Sequence, residues 1–334
     1  MHESVELAKQ SGFGAQSGFV NAVLRGYLRE FETTKQLLAD LKAEQPDLGF
    51  SHPRWLVQRW QERWGKEPAA RLLEWNNTPP KLFARVNTLK AEPGKLLAQW
   101  RDENVQYDFV RRDWLEENLL FELKEHPPLR KLPSFQQGLF YVQDPSTLLA
   151  VHALDPEPGE SVLDMCAAPG GKLSYIAQLM RNEGQLLAHD LSPERLKLVQ
   201  ENCGRLGVKS IQTTSSPIID AHGAKRFDRI LIDAPCSNTG AMCRRVDLRW
   251  RIQPDEIQRL RAVQLELLRQ AVSLLKRRGT MVYSTCSLEP EENRQVVEQF
   301  LRERNEFKLE NERELLPFVD RVDGAYVAVL KARD

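Results

Sequence analysis

From Phe135 onward the chain keeps one rhythm, and that rhythm limits the fold more than any other feature. Short apolar runs at residues 161–165, 185–189, 210–214, 229–232 and 280–284 alternate with amphipathic, helix-length stretches. Parallel strands need long crossover connections, so this spacing predicts βαβ units. The fold class is α/β, a Rossmann-like, doubly wound and mostly parallel sheet. The end breaks the rhythm: residues 307–309 and 325–330 follow without a long helix between them, which predicts an antiparallel hairpin at one sheet edge.

Two smaller units are expected in front of this domain of residues 135–334. Over residues 1–47, Val5, Leu7, Ala8, Phe19, Val20, Val23, Leu24 and Leu28 recur at helical spacing. No capping signal precedes the first helix, so it reads as opening partway through a domain. Residues 48–134 form the second unit. Ser51-His52-Pro53 starts one helical stretch reaching Trp75, and its Trp55, Trp60, Trp64 and Trp75 are read as packing residues rather than a base-stacking platform. Asn76-Asn77-Thr78-Pro79-Pro80 ends it, a strand follows at 82–86, and a helix at 94–103 completes a small α/β unit.

Composition removes several alternatives. Lys+Arg and Asp+Glu both number 47, so the whole chain exerts no net pull on a polyanion and any nucleic-acid contact must be a local patch. No stretch approaches the roughly 20 apolar residues of a membrane span, and a cytoplasmic monomer is expected. Cys166, Cys203, Cys236, Cys243 and Cys286 include no CxxC pair and leave an odd residue, which fits neither a disulfide framework nor a metal site. Some of the thiols are therefore candidates for chemistry.

In an open α/β sheet, ligands sit beyond the carboxyl ends of the strands. The first strand of the rhythm runs into Cys166-Ala167-Ala168-Pro169-Gly170-Gly171-Lys172 and then a helix, where small residues allow close backbone approach and free amides can hold a carboxylate. The loop lacks the glycine pattern of a dinucleotide site and the glycine and hydroxyl placement of a phosphate loop. The second strand ends at Asp190, a carboxylate that can accept both hydroxyls of a ribose, while Ser192 is left to cap the next helix.

The fourth strand leads to Asp233-Ala234-Pro235-Cys236, and the fifth to Thr285-Cys286. A lone strand-end cysteine is usually a buried apolar residue. Two beside one carboxylate favour a nucleophile. Carbon 5 of cytosine, for example, reacts with a methyl sulfonium only after a thiolate has added to carbon 6, and Asp233 could hydrogen-bond the ring edge and donate a proton to the ring nitrogen. Residue types alone leave open whether Cys286 or the Pro235-Cys236 thiol attacks.

The strings 164–172, 233–237 and 284–287 together resemble the Sun/Fmu family of RNA cytosine-carbon-5 methyltransferases, and the resemblance extends over nearly the whole chain. Residues 135–138 with 141–146 are similar to that family's entry into its catalytic domain, and Arg85-Val86-Asn87-Thr88 to its preceding domain. Residues 2–8 and 18–25 resemble the tail of the NusB-like helical domain in the 16S rRNA branch, most of which would be missing here. The resemblance implies S-adenosylmethionine as cofactor, held by Cys166 through Lys172, Asp190 and Asp233, with Cys286 as nucleophile and Cys236 aiding product release. It implies ribosomal RNA as partner. Where the family places an acidic residue after its third strand, near the adenine, this chain has Thr214-Ser215-Ser216-Pro217, so a hydroxyl or backbone group would have to substitute, or Asp220 would have to reach back.

Arg244, Arg245, Arg249 and Arg251 surround Trp250 and could clamp phosphate, although such runs are commonly solvated surface. Cys203 is expected in the core. Another base or protein methyltransferase on the same fold would not need two cysteines, and a noncatalytic RNA-binding assembly factor would not need Asp233, Cys236 and Cys286 together.

Overall fold

A computed structural model describes residues 2–209, 211–216 and 227–333, in two compact units that meet at Asn77 and Thr78. Ser210 and Asp220 lie outside the described residues.

The first unit is helical. Its helices His2–Gln10, Ser17–Arg29 and Phe31–Glu44 bury no residue. The helical stretch expected as one piece from Ser51 to Trp75 is two helices, Arg54–Trp64 and Lys66–Asn76. They break at Gly65, whose φ of 87° costs a side-chain-bearing residue a steric penalty. Trp60 is fully buried with Leu56, Leu72 and Leu73, as its packing role requires.

The second unit opens with a small antiparallel sheet. Strands β1 (Leu82–Val86), β2 (Tyr107–Phe109), β3 (Leu120–Leu123) and β4 (Phe140–Val142) lie in the order β2-β3-β1-β4. The helix Pro93–Asp102 covers one face, and its fully buried Trp100 packs edge-on against Phe121 and Phe140 at ring-centroid distances of 5.6 and 5.3 Å. β4 comes from the segment read as the entry to the catalytic domain, so that segment closes one sheet before the next begins.

Seven strands make the large sheet: β5 (Ser161–Asp164), β6 (Gln185–His189), β7 (Ile211–Thr214), β8 (Phe227–Asp233), β9 (Leu275–Thr285), β10 (Phe307–Leu315) and β11 (Ala325–Ala332). Their order is β10-β11-β9-β8-β5-β6-β7, with β5 to β9 mutually parallel and β10 and β11 forming the antiparallel hairpin expected at one edge. Successive side chains of a strand face opposite sides, and both sides here are covered. Val162, Leu231 and Val282 join the core under the helices Ser146–Leu154, Gly171–Leu179 and Pro193–Leu206. Leu163, Ile230, Ile232 and Tyr283 join the core under Pro254–Leu274 and Arg294–Glu303. This two-sided burial explains the near-continuous apolar runs. Among the described residues, no helix is long and apolar enough to cross a membrane.

Trp100→Ala should cost about 3–5 kcal/mol of stability, the usual loss for deleting a large buried aromatic. Urea unfolding followed by circular dichroism measures it, and a loss below about 1 kcal/mol would show that the small sheet does not depend on this residue.

Candidate active site

The chain leaves β5 toward β6 on one side, whereas β8 packs on the other, so the strand order reverses between β5 and β8. A crevice must open beyond their carboxyl ends, because the connections diverge. A cleft of about 1000 Å³ lies there. Cys166, Ala168, Pro169, Lys172, Asp190, Asp233, Cys236 and Cys286 all line it. Ala167, Gly170 and Gly171 do not. Gly170 has a φ of 99° and backs onto Val199, and a Cβ on Gly171 would stand 2.9 Å from the Tyr141 ring, so the glycines shape the loop from behind.

The loop is anchored from the small sheet. Arg85 of β1 is fully buried, and its guanidinium donates to Gln143 Oε1 at 3.0 Å, Gly171 O at 3.2 Å and Ser174 Oγ at 2.9 Å while lying over the Tyr175 ring. Burial lowers its pKa to about 10, still far above neutrality. On the next strand, Asp190 is buried and donates nothing. Its Oδ1 accepts from the Ser192 amide at 3.1 Å, while Oδ2 accepts no hydrogen bond, although Arg195 Nη1 stands 3.1 Å away as an ion partner. Nε2 of the adjacent His189 is also buried without a partner. Ser192 caps the following helix by accepting from Arg195 N, which frees Asp190 from that task as expected. Leu191, 84% exposed, offers an apolar face at the same edge, with Val263 and Leu267 across the cleft.

At the opposite end, both Asp233 oxygens accept hydrogen bonds, Oδ2 from Lys172 Nζ at 2.6 Å and Oδ1 from Ser284 Oγ at 2.9 Å. Burial opposes the Lys172 ammonium, but Asp233 holds its pKa above the ordinary lysine value. The charged Lys172 ammonium therefore stands 2.6 Å from the Asp233 carboxyl that was expected to face the base. Asp164, one strand in, has its carboxyl pushed up to about 7 by burial and then by Asp233.

Cys236 Sγ and Cys286 Sγ are 3.3 Å apart. The Cys286 thiol donates to Asn238 Oδ1 at 3.1 Å, and Asn238, in a left-handed conformation, donates from Nδ2 to Cys236 O at 2.6 Å. The hydrogen bond with Cys286, burial, the charge of Cys286 and, after these, the charge of Glu292 push the Cys236 thiol well above the ordinary cysteine value. Cys166 faces the cleft but is also pushed far up by burial. Cys203 is a core residue, and Cys243 is buried against Asp323 at 3.5 Å.

The arginine cluster needs a correction. The charge of Arg244 is already paired with Asp323 at 2.6 Å and Asp144 at 2.7 Å, and Arg249 is only 5% exposed. Arg245 lines the cleft, and Trp250 is 59% exposed. Sequence reasoning also missed Asn238, Glu292 and the anchoring by Arg85. Only Arg85 lay inside one of the strings that carry the family resemblance. No local pattern marks the others, because their contacts are made between segments about 50 residues apart.

The protein family described as 16S rRNA methyltransferase RsmB/F matches residues 151–331, and an RsmF/B-like ferredoxin-like domain matches residues 52–122. Fold, cleft and match agree on the class: a Rossmann-like methyltransferase that uses S-adenosylmethionine. The chain belongs to the RsmB/F methyltransferase family. It is 38% identical over 318 residues to Probable ribosomal RNA small subunit methyltransferase B of Bacillus subtilis, covering 92% of this chain and 68% of that protein. Ribosomal RNA small subunit methyltransferase B of Klebsiella pneumoniae is 35% identical over 325 residues, covering 95% and 73%. The crystal structure of a methyltransferase homolog protein from Pyrococcus horikoshii superposes with a TM-score of 0.75 at 33% identity, covering 86% of this chain and 97% of that one.

Asp190→Ala should weaken S-adenosylmethionine binding at least about tenfold, the loss of one charged acceptor. Titration calorimetry giving an unchanged Kd would remove Asp190 from the cofactor site. Asp164 predicts a pH effect. Its folded-state value of about 7 exceeds the ordinary 3.8, so its contribution to stability is complete below about pH 4 and is lost as pH rises toward 7. Asp323, also pushed up to about 7 by burial and then by Asp144, adds a slope of the same sign. Across this window the wild-type melting temperature should fall relative to that of Asp164→Asn; parallel curves would refute the assignment.

Proposed function

We propose that the protein methylates carbon 5 of a cytosine in RNA, 16S ribosomal RNA in particular, through a transient bond between Cys286 and the base. The observation that carries this reading is the pair of thiols 3.3 Å apart beside Asp233, at the strand ends that border the cleft. A transfer to an amine nitrogen would need neither thiol. The names of the family and its relatives support an rRNA substrate.

S-adenosylmethionine fits the far end of the cleft, where Asp190 Oδ2 and His189 Nε2 lack hydrogen-bond partners and Leu191 offers an apolar face. When bound it supplies an electrophilic methyl group to carbon 5. The residues of the chain do the rest. Cys286 Sγ, as thiolate, adds to carbon 6 of the cytosine, the carbon 5–carbon 6 electron pair shifts toward carbon 4, and the ring nitrogen takes a proton from the Lys172–Asp233 pair. That shift makes carbon 5 nucleophilic. After methylation, loss of the carbon 5 proton to solvent and breakage of the Cys286–carbon 6 bond restore the ring, and the ring-nitrogen proton returns to the pair. The S–H of Cys236, whose pKa its hydrogen bond with Cys286 and burial push well above the ordinary cysteine value, can donate to the Cys286 sulfur both before attack and on departure. Arg245 and Trp250, on the exposed rim, are the proposed contacts to phosphate and an unstacked base.

Cys286→Ala should abolish both methyl transfer and covalent capture of substrate RNA. Cys236→Ala should still form the adduct but release it slowly, so a protein–RNA species should accumulate on a denaturing gel with S-adenosylmethionine and unmodified 16S rRNA. An adduct that persists in Cys286→Ala and is lost in Cys236→Ala would assign the attack to Cys236 instead.

A further inference from the structure

Behind the two thiols lies a carboxylate that the reaction above does not use. Glu292 is completely buried, beyond the end of β9. Its Oε1 accepts from the Ser237 amide at 2.9 Å and from Gln264 Nε2 at 3.1 Å, while its Oε2 accepts from both Ser237 Oγ and Ser287 Oγ. Ser237 follows Cys236 directly, and Ser287 follows Cys286. One carboxylate thus gathers the residues next to both thiols, and the two hydroxyls lie 3.0 Å from each other. Gln264 also donates to Pro235 O at 2.9 Å, and Tyr283 donates to the backbone oxygen of Glu292, so the carboxylate is held from the long helix and the backbone of Glu292 from β9.

A buried carboxylate is costly unless it performs work that an apolar residue cannot. A leucine here could fill space, but it could not join two loops through their hydroxyls or place negative charge behind one thiol. We propose that Glu292 is a positioning residue for the methyl-transfer site, which acts through Ser237 and Ser287 to hold the Cys236 and Cys286 loops in register and places its negative charge behind the Cys236 thiol. This rests on the cysteine chemistry proposed above. The direction of the thiol shift agrees: Glu292 raises Cys236. Burial raises the Glu292 carboxyl itself, while the four hydrogen bonds it accepts work in the opposite direction.

The test reads the charge separately from the packing. In a Cys286→Ala background, alkylation of Cys236 by iodoacetamide is followed by peptide mass spectrometry from pH 6 to 10.5, with Glu292 and with Glu292→Gln. Glutamine keeps the size and can still bridge the hydroxyls, which rotate to accept from its amide, but it carries no charge. Tyr283, Asp233 and Lys172 also stand around the thiols and are common to both proteins, so a difference reports on position 292. The expected result is a pH midpoint lowered by about one unit in Glu292→Gln. Loosened packing would instead speed alkylation at every pH without moving the midpoint, and that outcome overturns the charge role. With Cys286 present, Ser237→Ala and Ser287→Ala should each slow single-turnover methyl transfer about tenfold or more with an unchanged Kd for S-adenosylmethionine. Wild-type rates in both overturn the role in register. Should Glu292→Gln fail to bind S-adenosylmethionine, and so to fold, the two serine variants decide the proposal. If Cys286→Ala alone retains methyl transfer, the cysteine reading fails, whereas full loss in Cys286→Ala with wild-type behaviour at 237, 287 and 292 is the failure of Glu292 alone.

Discussion

The reversal of strand order between β5 and β8 is the constraint on which the site depends. Parallel neighbours joined by right-handed crossovers send their connections to opposite faces wherever the order reverses, and the carboxyl ends of the two strands are left uncovered. The loop 166–172 follows β5, and Asp233 ends β8. The Lys172–Asp233 ion pair then spans the crevice at 2.6 Å, so the two loops are held by charge where no backbone hydrogen bond can hold them. An exposed pair of this kind would contribute little. Here Lys172 is largely enclosed, and removing either partner would strand a charge in a poorly solvated place.

A second layer of support comes from outside the large sheet. Arg85 belongs to the small sheet, yet two of its hydrogen bonds end on Gly171 and Ser174, in and just after the loop. Asn87, two residues on, donates from Nδ2 to Gly138 O at 2.8 Å and Leu206 O at 2.7 Å. The string 85–88 therefore fastens the small sheet to the loop 166–172 and to the end of the helix Pro193–Leu206. This gives the small sheet a mechanical role that its composition did not disclose. The guanidinium is suited to it, since its planar fork can serve several oxygens at once while staying charged in a buried position.

Much of this was legible because the large sheet is covered on both faces. Parallel strands buried twice over must be apolar throughout, and β6 was located to the residue at Gln185–His189. The strand ends then pointed to Asp190, Asp233, Cys236 and Cys286 before any coordinates were needed. Illegible features share a cause. Whether Gly65 splits a helix depends on a backbone conformation that periodicity does not report. That Arg244 is consumed by Asp144 and Asp323 depends on contacts with residues 100 and 79 positions away. A run of arginines shows charge, and only folding shows how much of it is already neutralised.

That neutralisation bears on how a chain with equal numbers of acidic and basic residues can hold a polyanion. Arg244 is paired, Arg249 is buried, and Arg251 pairs with Asp247 at 3.2 Å, so the cluster offers less positive potential than its sequence suggests. Arg245 remains at the cleft and Trp250 at the surface, a combination better suited to one splayed nucleotide than to a long stretch of backbone. The cysteine chemistry proposed above would demand that arrangement, because carbon 6 of the base would have to come within bonding distance of a thiol recessed beside β8 and β9. A base inside a helix cannot reach it. On that proposal, recognition by this cleft depends on an unstacked cytosine more than on total charge, with affinity falling less steeply with salt than it would for a protein that neutralises many phosphates.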